Sequence, residues 1–311
     1  MKNKEFLINE INEYRKKKNA IILAHYYQEP EIQDLADFVG DSLDLSRKSA
    51  NTDADIIVFA GVHFMAETAK ILSPLKKVLL PDLNAGCSLA ESCPPDEFKK
   101  FRNKYSDHIV VSYVNTTAEI KSLTDIICTS TNAVKIIESI PKNQKIIFVP
   151  DRNLGNYINS LTGRDMVIWD GACHVHEEFS LERILEIKEK HTNAKLLVHP
   201  ECRKPVQIAA DFIGSTSALL KFIEKDDGSE YIVATESGIL HQMKKRNPDK
   251  HFIPAPPIDS TCGCNNCKYM KMHDLQKIYN SLKDEKFEIK VKPELLEKAR
   301  KPIIRMLELS D

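Results

Sequence analysis

The strings Asp37-Phe38-Val39-Gly40-Asp41-Ser42, Asp125-Ile126-Ile127-Cys128-Thr129-Ser130 and Asp211-Phe212-Ile213-Gly214-Ser215-Thr216 are versions of one another. Their aspartates lie 88 and then 86 residues apart, an internal period of domain size. Seventeen residues before each final hydroxyl an apolar run ends in a polar residue: His25, Tyr113 and His199. Two further on stand Tyr27, Asn115 and Glu201. A cysteine keeps the same beat. Cys87 is followed 86 residues later by Cys173, and the group Cys262, Cys264 and Cys267 comes 89 to 94 residues after that. Core packing gives no reason for polar residues to repeat at one phase. A triplicated scaffold that supplies a thiol, a hydroxyl and a polar pair per copy implies a shared central site.

Between these marks helices and strands alternate. Each copy opens with a helix of mixed charged and apolar residues, at 4–18, about 95–104, and 180–191. A first strand follows (20–24, 109–112, 195–198), then the short strand of the string itself (38–39, 126–127, 212–213). After the hydroxyl comes a second helix, then a third strand (55–60, 145–149, 231–235) and a fourth (77–81, 166–169, 251–253). Strands rich in Val and Ile that alternate with helices predict small parallel sheets covered on both faces and joined by right-handed crossovers. Ligands of such sheets sit outside the carboxyl ends of the strands, which is where the repeated polar residues fall. The expected fold is α/β: three homologous αβα units, 1–93, 94–179 and 180–272, in pseudo-threefold arrangement around a central site. The charged segment 273–311 is expected to add helices packed on the outside.

Apolar content of 42% and charged content of 29% are ordinary for a globular protein. A net charge of −1 gives no basic field for nucleic acid or an anionic membrane. No apolar run approaches the roughly 20 residues of a membrane helix. Met1-Lys2-Asn3-Lys4-Glu5 leads into an amphipathic stretch rather than the core of a signal peptide. A cytoplasmic enzyme is expected. Eight cysteines then read as thiol chemistry rather than a disulfide framework. Their spacing fits neither paired C-x2-C zinc arms nor the contiguous ferredoxin run.

Each repeated residue has a plain explanation when taken alone. Ser42, Ser130 and Thr216 each end a strand and open a helix, and N-capping is worth about 1 kcal/mol. Three at one phase, however, also aim three helix N-termini at one point, a field suited to carboxylates or phosphate. A lone His25, Tyr27, Tyr113 or Asn115 after a strand is more often a satisfied buried residue than a catalyst. His199 and Glu201 carry more information, because a carboxylate between Pro200 and Cys202 costs desolvation unless something uses it. Buried free cysteine is common and inert. Cys87, Cys173 and one of the last group, equivalent in position, are better explained as three thiolate ligands that leave a coordination position open. Zinc and an iron–sulfur cluster both fit, and all-thiolate ligation from distant segments favours the cluster.

Eight strings together resemble the quinolinate synthase family, and they run from near residue 20 to about 280. They are His25-Tyr26-Tyr27-Gln28, Gly40-Asp41-Ser42, Gly61-Val62-His63-Phe64-Met65-Ala66-Glu67-Thr68, Ala85-Gly86-Cys87-Ser88-Leu89-Ala90, Tyr113-Val114-Asn115-Thr116, Cys128-Thr129-Ser130, His199-Pro200-Glu201-Cys202 and Gly214-Ser215-Thr216. The resemblance implies a [4Fe–4S] cluster held by three cysteines, with one iron free for substrate. It implies condensation of iminoaspartate with dihydroxyacetone phosphate to quinolinate, phosphate and water, a step of NAD biosynthesis. A functional link to an iminoaspartate-producing enzyme follows.

By motif the ligands would be Cys87, Cys173 and Cys267. Cys267 is preferred because Cys267-Lys268-Tyr269-Met270-Lys271-Met272 looks like the family's ligand cysteine with its trailing Met-x-Met. The resemblance places His25, Tyr27, Ser42, Tyr113, Asn115, Ser130, His199, Glu201 and Thr216 around the substrate. His199, Glu201, Tyr27 and Tyr113 would be its acid–base groups. Lys268 and Asp170 stand where proline is usual in the family. Two further readings remain open: another hydro-lyase with an open-iron cluster, and a non-catalytic redox sensor switched at Cys262–Cys267.

Overall fold

A computed structural model describes residues 2–259 and 265–310, so Cys262 and Cys264 lie outside the described residues. Among those described, twelve strands form three four-stranded sheets of identical topology. The first holds β1 (Ala20–His25), β2 (Phe38–Gly40), β3 (Ile56–Ala60) and β4 (Lys77–Leu79) in the order β2-β1-β3-β4. The second holds β5 (Ile109–Tyr113), β6 (Ile126–Cys128), β7 (Ile146–Val149) and β8 (Val167–Ile168), ordered β6-β5-β7-β8. The third holds β9 (Lys195–Val198), β10 (Phe212–Ile213), β11 (Glu230–Ala234) and β12 (His251–Pro254), ordered β10-β9-β11-β12. All pairings within the sheets are parallel. Buried on both faces, the central strands are the uninterrupted apolar runs of the sequence; every residue of β3 and β7 is buried.

The repeat extends to register. Leu23 pairs with Phe38, Val111 with Ile126, and Leu197 with Phe212. The aspartate that opens each string pins this register. Asp37 Oδ2 accepts the Ile22 N–H at 2.7 Å while the Asp37 N–H donates to the Ile22 carbonyl at 2.9 Å. Asp125 clasps Val110 in the same way (2.7 and 3.0 Å), and Asp211 clasps Leu196 (2.6 and 2.9 Å). Each carboxylate answers a strand N–H that the short second strand begins too late to pair. A hydrogen bond to a charged group contributes about 1.5–3 kcal/mol, and a one-residue slip would reverse every side chain. Gly40 and Gly214 close the first and third strings for want of room. A Cβ there would lie 2.8 Å from the Cβ of Asp44 or of Ala218 on the following helix.

The C-terminal segment forms two helices, Leu275–Asp284 and Pro293–Glu308. The first packs on the opening helix Lys2–Lys17 and buries Leu275, Ile278 and Leu282 with the apolar face of β1 and β3. The second buries Ala299, Ile303 and Met306 against β6 and the helix His63–Leu72, joining the largest apolar core. Ser310 then accepts from Arg47 through its carbonyl (2.9 Å) and from Asn132 through its hydroxyl (2.7 Å), bridging the first two sheets' helices.

Candidate active site

The carboxyl ends of all three sheets border one cavity. His25, Tyr27 and Ser42 reach it from the first sheet, Tyr113, Asn115 and Ser130 from the second, and His199, Glu201 and Thr216 from the third. Cys87, Cys173 and Cys267 line it as well. Cys93, Cys128 and Cys202 are instead buried in apolar clusters and do not line it. Asn115 Oδ1 is buried with no hydrogen-bond partner among the described residues, an acceptor left open for a ligand.

The hydroxyls are not the caps that the strings suggest. Ser42 and Thr216 are the first helical residues, and the capping side chains are those just before them. Asp41 accepts from the N–H groups of Leu43 and Asp44, and Ser215 from that of Ala218. In the second copy the helix begins only at Ala133, because Asn132 Oδ1 takes the Thr129 N–H at 2.6 Å and holds Thr129–Thr131 as a turn. Ser130 therefore opens no helix, a correction to the expectation from sequence. The caps nonetheless meet: Thr131 donates to Asp41 Oδ2 at 2.6 Å and its hydroxyl contacts Ser215 Oγ at 2.8 Å. One junction thus joins the three copies beside Ser42, Ser130 and Thr216, whose hydroxyls are left to the cavity.

Two histidines repeat a backbone contact that sets their tautomer. His25 Nδ1 accepts the Tyr27 N–H at 3.2 Å, and His199 Nδ1 accepts the Glu201 N–H at 3.4 Å. The neutral ring then carries its proton on Nε2, and His199 Nε2 lies 3.3 Å from Ser130 Oγ. Burial lowers His25 to about 4 and His199 to about 3, against the partial opposition of Asp41 and Glu201. Both are neutral hydrogen-bond donors at physiological pH. No lysine or arginine lines the cavity among the described residues, so an anionic ligand would be held by neutral donors and by the starts of the helices Ser42–Ala50 and Thr216–Lys225.

A polar chain crosses the site. Tyr27 Oη and Thr235 Oγ1 are 2.6 Å apart, Thr235 Oγ1 is 2.9 Å from His176 Nε2, and His176 Nδ1 is 3.1 Å from Glu201 Oε2. Tyr113 completes it by donating to Glu201 Oε1 at 2.6 Å. The His176 Nδ1–Glu201 Oε2 contact has no in-line N–H, and the His176 ring also stacks on His199 at 4.7 Å. Burial alone would raise Glu201; His176, His199 and Tyr113 outweigh it and bring the carboxyl down to about 2. Glu201 is held as a carboxylate, and both tyrosines, buried beside it, are raised well above the ordinary phenol value.

The thiols share one local design. Cys87 and Cys173 sit at the N-cap positions of the short helices Ser88–Glu91 and His174–Glu177. The N–H groups of Leu89 and Ala90 favour the Cys87 thiolate, that of His176 the Cys173 thiolate, and those of Tyr269 and Met270 the Cys267 thiolate. Burial outweighs these donors, pushing Cys87 up to about 12 and raising the other two, and the charge of Cys267 adds to both Cys87 and Cys173. Coordination to a cation reverses that balance and deprotonates a thiol outright. The three segments are also tied together: Ser88 Oγ lies 2.6 Å from His174 Nδ1, and the His174 ring meets the Tyr269 ring edge-on. Three soft donors cradled by backbone N–H groups fit an iron–sulfur cluster. A mixed trio, Cys173, His176 and Glu201, also brings its ligand atoms within 4.8 Å of one another, but Glu201 is already engaged by Tyr113 and His176.

The family model described as quinolinate synthetase A protein matches residues 9–308. The chain belongs to this family. It is 58% identical over 98% of its length to the quinolinate synthase of Thermosynechococcus vestitus, covering 95% of that protein. The quinolinate synthase of Trichormus variabilis is 58% identical (97% of this chain, 93% of the relative), and that of Synechocystis 57% (98% and 95%). Among the described residues no helix is long and apolar enough to cross a membrane.

His176, Thr235 and Glu236 escaped the sequence reading of the site. His176 stands three residues past Cys173, close enough to have been weighed with it. Glu236 has its own phase: Ala60, Val149 and Ala234 hold equivalent register, and two residues on are Val62, Asp151 and Glu236. Glu236 lines the cavity, pairs with Lys271 at 3.2 Å and accepts the Cys267 N–H at 3.3 Å. Burial raises it to about 7 despite Lys271.

Proposed function

We propose that the cavity condenses iminoaspartate with dihydroxyacetone phosphate to quinolinate, releasing phosphate and water, as a cytoplasmic step of NAD biosynthesis. The observation that carries this reading is the convergence of three thiols and nine repeated polar residues, drawn from all three sheets, on one cavity. Cys87, Cys173 and Cys267 would hold a [4Fe–4S] cluster, which when bound supplies a Lewis-acidic iron.

The chain's own residues supply the rest. Ser42, Ser130 and Thr216, the Nε2–H groups of His25 and His199, and Asn115 bind and orient the carboxylates and phosphate. The two neutral phenols serve as proton donors. Glu201 is the base: a substrate that recruits the Tyr113 hydroxyl and the His199 ring frees it of groups that depress it, raising its basicity where a proton must leave. Burial of the cavity excludes water from a reactive imine.

Single Cys→Ala variants purified without oxygen test the proposal through iron and sulfide content and quinolinate formation. Cys87, Cys173 and Cys267 variants should lose both the cluster and turnover, while Cys93, Cys128 and Cys202 variants keep the cluster. A cluster-replete wild type that forms no quinolinate from the two substrates would overturn the activity. Normal cluster content in Cys267→Ala would move the third ligand.

A further inference from the structure

A second set of metal-type donors lies at the amino edge of the third sheet, away from the strand ends that form the cavity. Glu230 opens β11 and His251 opens β12, and the two are register partners, so their side chains stand on one face. His191 follows the helix Leu181–Lys190, just before β9. Glu230 Oε1 sits between the two rings, 3.4 Å from His191 Nδ1 and 3.3 Å from His251 Nδ1. All three ligand atoms lie within 4.8 Å of one another.

The His251–Glu230 pair is a long hydrogen bond at 3.3 Å, and both contacts are longer than the roughly 2.7–2.9 Å of a charge-assisted one. They match the separation of neighbouring ligand atoms on a tetrahedral ion, about 3.3–3.6 Å for bonds of about 2.0–2.2 Å. Two imidazoles and a carboxylate are the donor set of zinc and its neighbours, and no thiol takes part. We infer that His191, Glu230 and His251 form a site for a divalent transition metal of the zinc class, completed by water. The ion ties a helix end to the starts of two strands. Because the three donors are brought together only by folding, the ion stabilises the native state by mass action.

The test is equilibrium dialysis of the anaerobic, cluster-loaded protein against micromolar zinc, followed by metal analysis and thermal melting. His191→Asn and His251→Asn are compared with wild type; thiol-bound zinc is common to all three and cancels. Wild type should hold one more zinc per chain than either variant, and the zinc-induced rise in melting temperature should be lost in both. Affinity at this site should fall at least about tenfold, the low end of what even outer-shell partners contribute. Equal uptake and equal melting shifts in all three proteins would overturn the site. His251 is more than half exposed, so its replacement spares the core. Should a variant fail to fold, zinc-soaked wild-type crystals decide: an anomalous peak between the three side chains supports the site, and its absence overturns it.

Discussion

The Tyr113 hydroxyl donates to Glu201 Oε1 across 2.6 Å, joining the end of β5 to the loop after β9. The bond links different positions of the repeat, the first polar residue of one copy to the second of another. A buried carboxylate bonded by Tyr113 and approached by His176 from the other side has no room to serve as a loose surface charge. Its chemistry is therefore read best by changing its charge while keeping its shape.

Glu201→Gln keeps the volume and hydrogen-bonding reach but removes the carboxylate that we propose as the base. A general base contributes about 10²–10⁴-fold, so the variant should retain its cluster and bind dihydroxyacetone phosphate, yet form quinolinate at least about a hundredfold more slowly. Anaerobic turnover with matched iron content is the measurement. A rate within a few-fold of wild type would assign Glu201 to orienting Tyr113 and His199.

Capping and ligand binding separate cleanly in the two strings where a helix starts at the hydroxyl. Ser215→Ala removes the bond to the Ala218 N–H and should cost about 0.5–2 kcal/mol in urea unfolding. Ser42→Ala and Thr216→Ala should leave the unfolding midpoint within experimental scatter while weakening substrate binding. A loss of stability in Thr216→Ala as large as in Ser215→Ala would return that hydroxyl to a structural role.

The neutral histidines give the fold an acid weakness. His25 and His199 titrate near 6.5 once unfolded but at about 4 and about 3 when folded. Between these limits the unfolded chain binds more protons, so stability rises with pH and is lost as pH falls below about 6.5. The slope is about 1.4 kcal/mol per pH unit for each ring. Urea unfolding of the cluster-free chain from pH 7 to 5 measures it. The double variant His25→Asn, His199→Asn should show a shallower slope; an unchanged slope would mean that the buried rings carry no protonation penalty.

Local pattern carried the strands and their order of appearance, because unbroken apolar runs between helical periods leave few alternatives. The convergence of the nine polar residues with Cys87 and Cys173 on one cavity was legible from phase, since a repeat that keeps its polar residues keeps their position at the strand ends; phase left the third cysteine open, and the family resemblance chose Cys267. What escaped were choices made by single hydrogen bonds. The register pin at Asp37, Asp125 and Asp211 repeats openly, yet only the structure reveals that the carboxylate faces a strand N–H rather than the cavity. The cap fell one residue earlier than the hydroxyl because Asp41 and Ser215 are themselves good caps. Ser130 lost its helix to Asn132, whose amide competes for the Thr129 N–H. His176 was invisible as a partner of Glu201 because their neighbourhood joins two copies of the repeat.

The division of the cavity among three sheets bears on how the protein comes into being. A chain leaving the ribosome has displayed β1 through β8, Cys87 and Cys173 well before it offers His199, Glu201 or Cys267. Until then the cavity lacks the wall that the third sheet supplies. If Cys87, Cys173 and Cys267 hold the cluster as proposed, iron and sulfide can be delivered productively only once synthesis has passed residue 267, so assembly of the site is tied to the last part of the chain to be made.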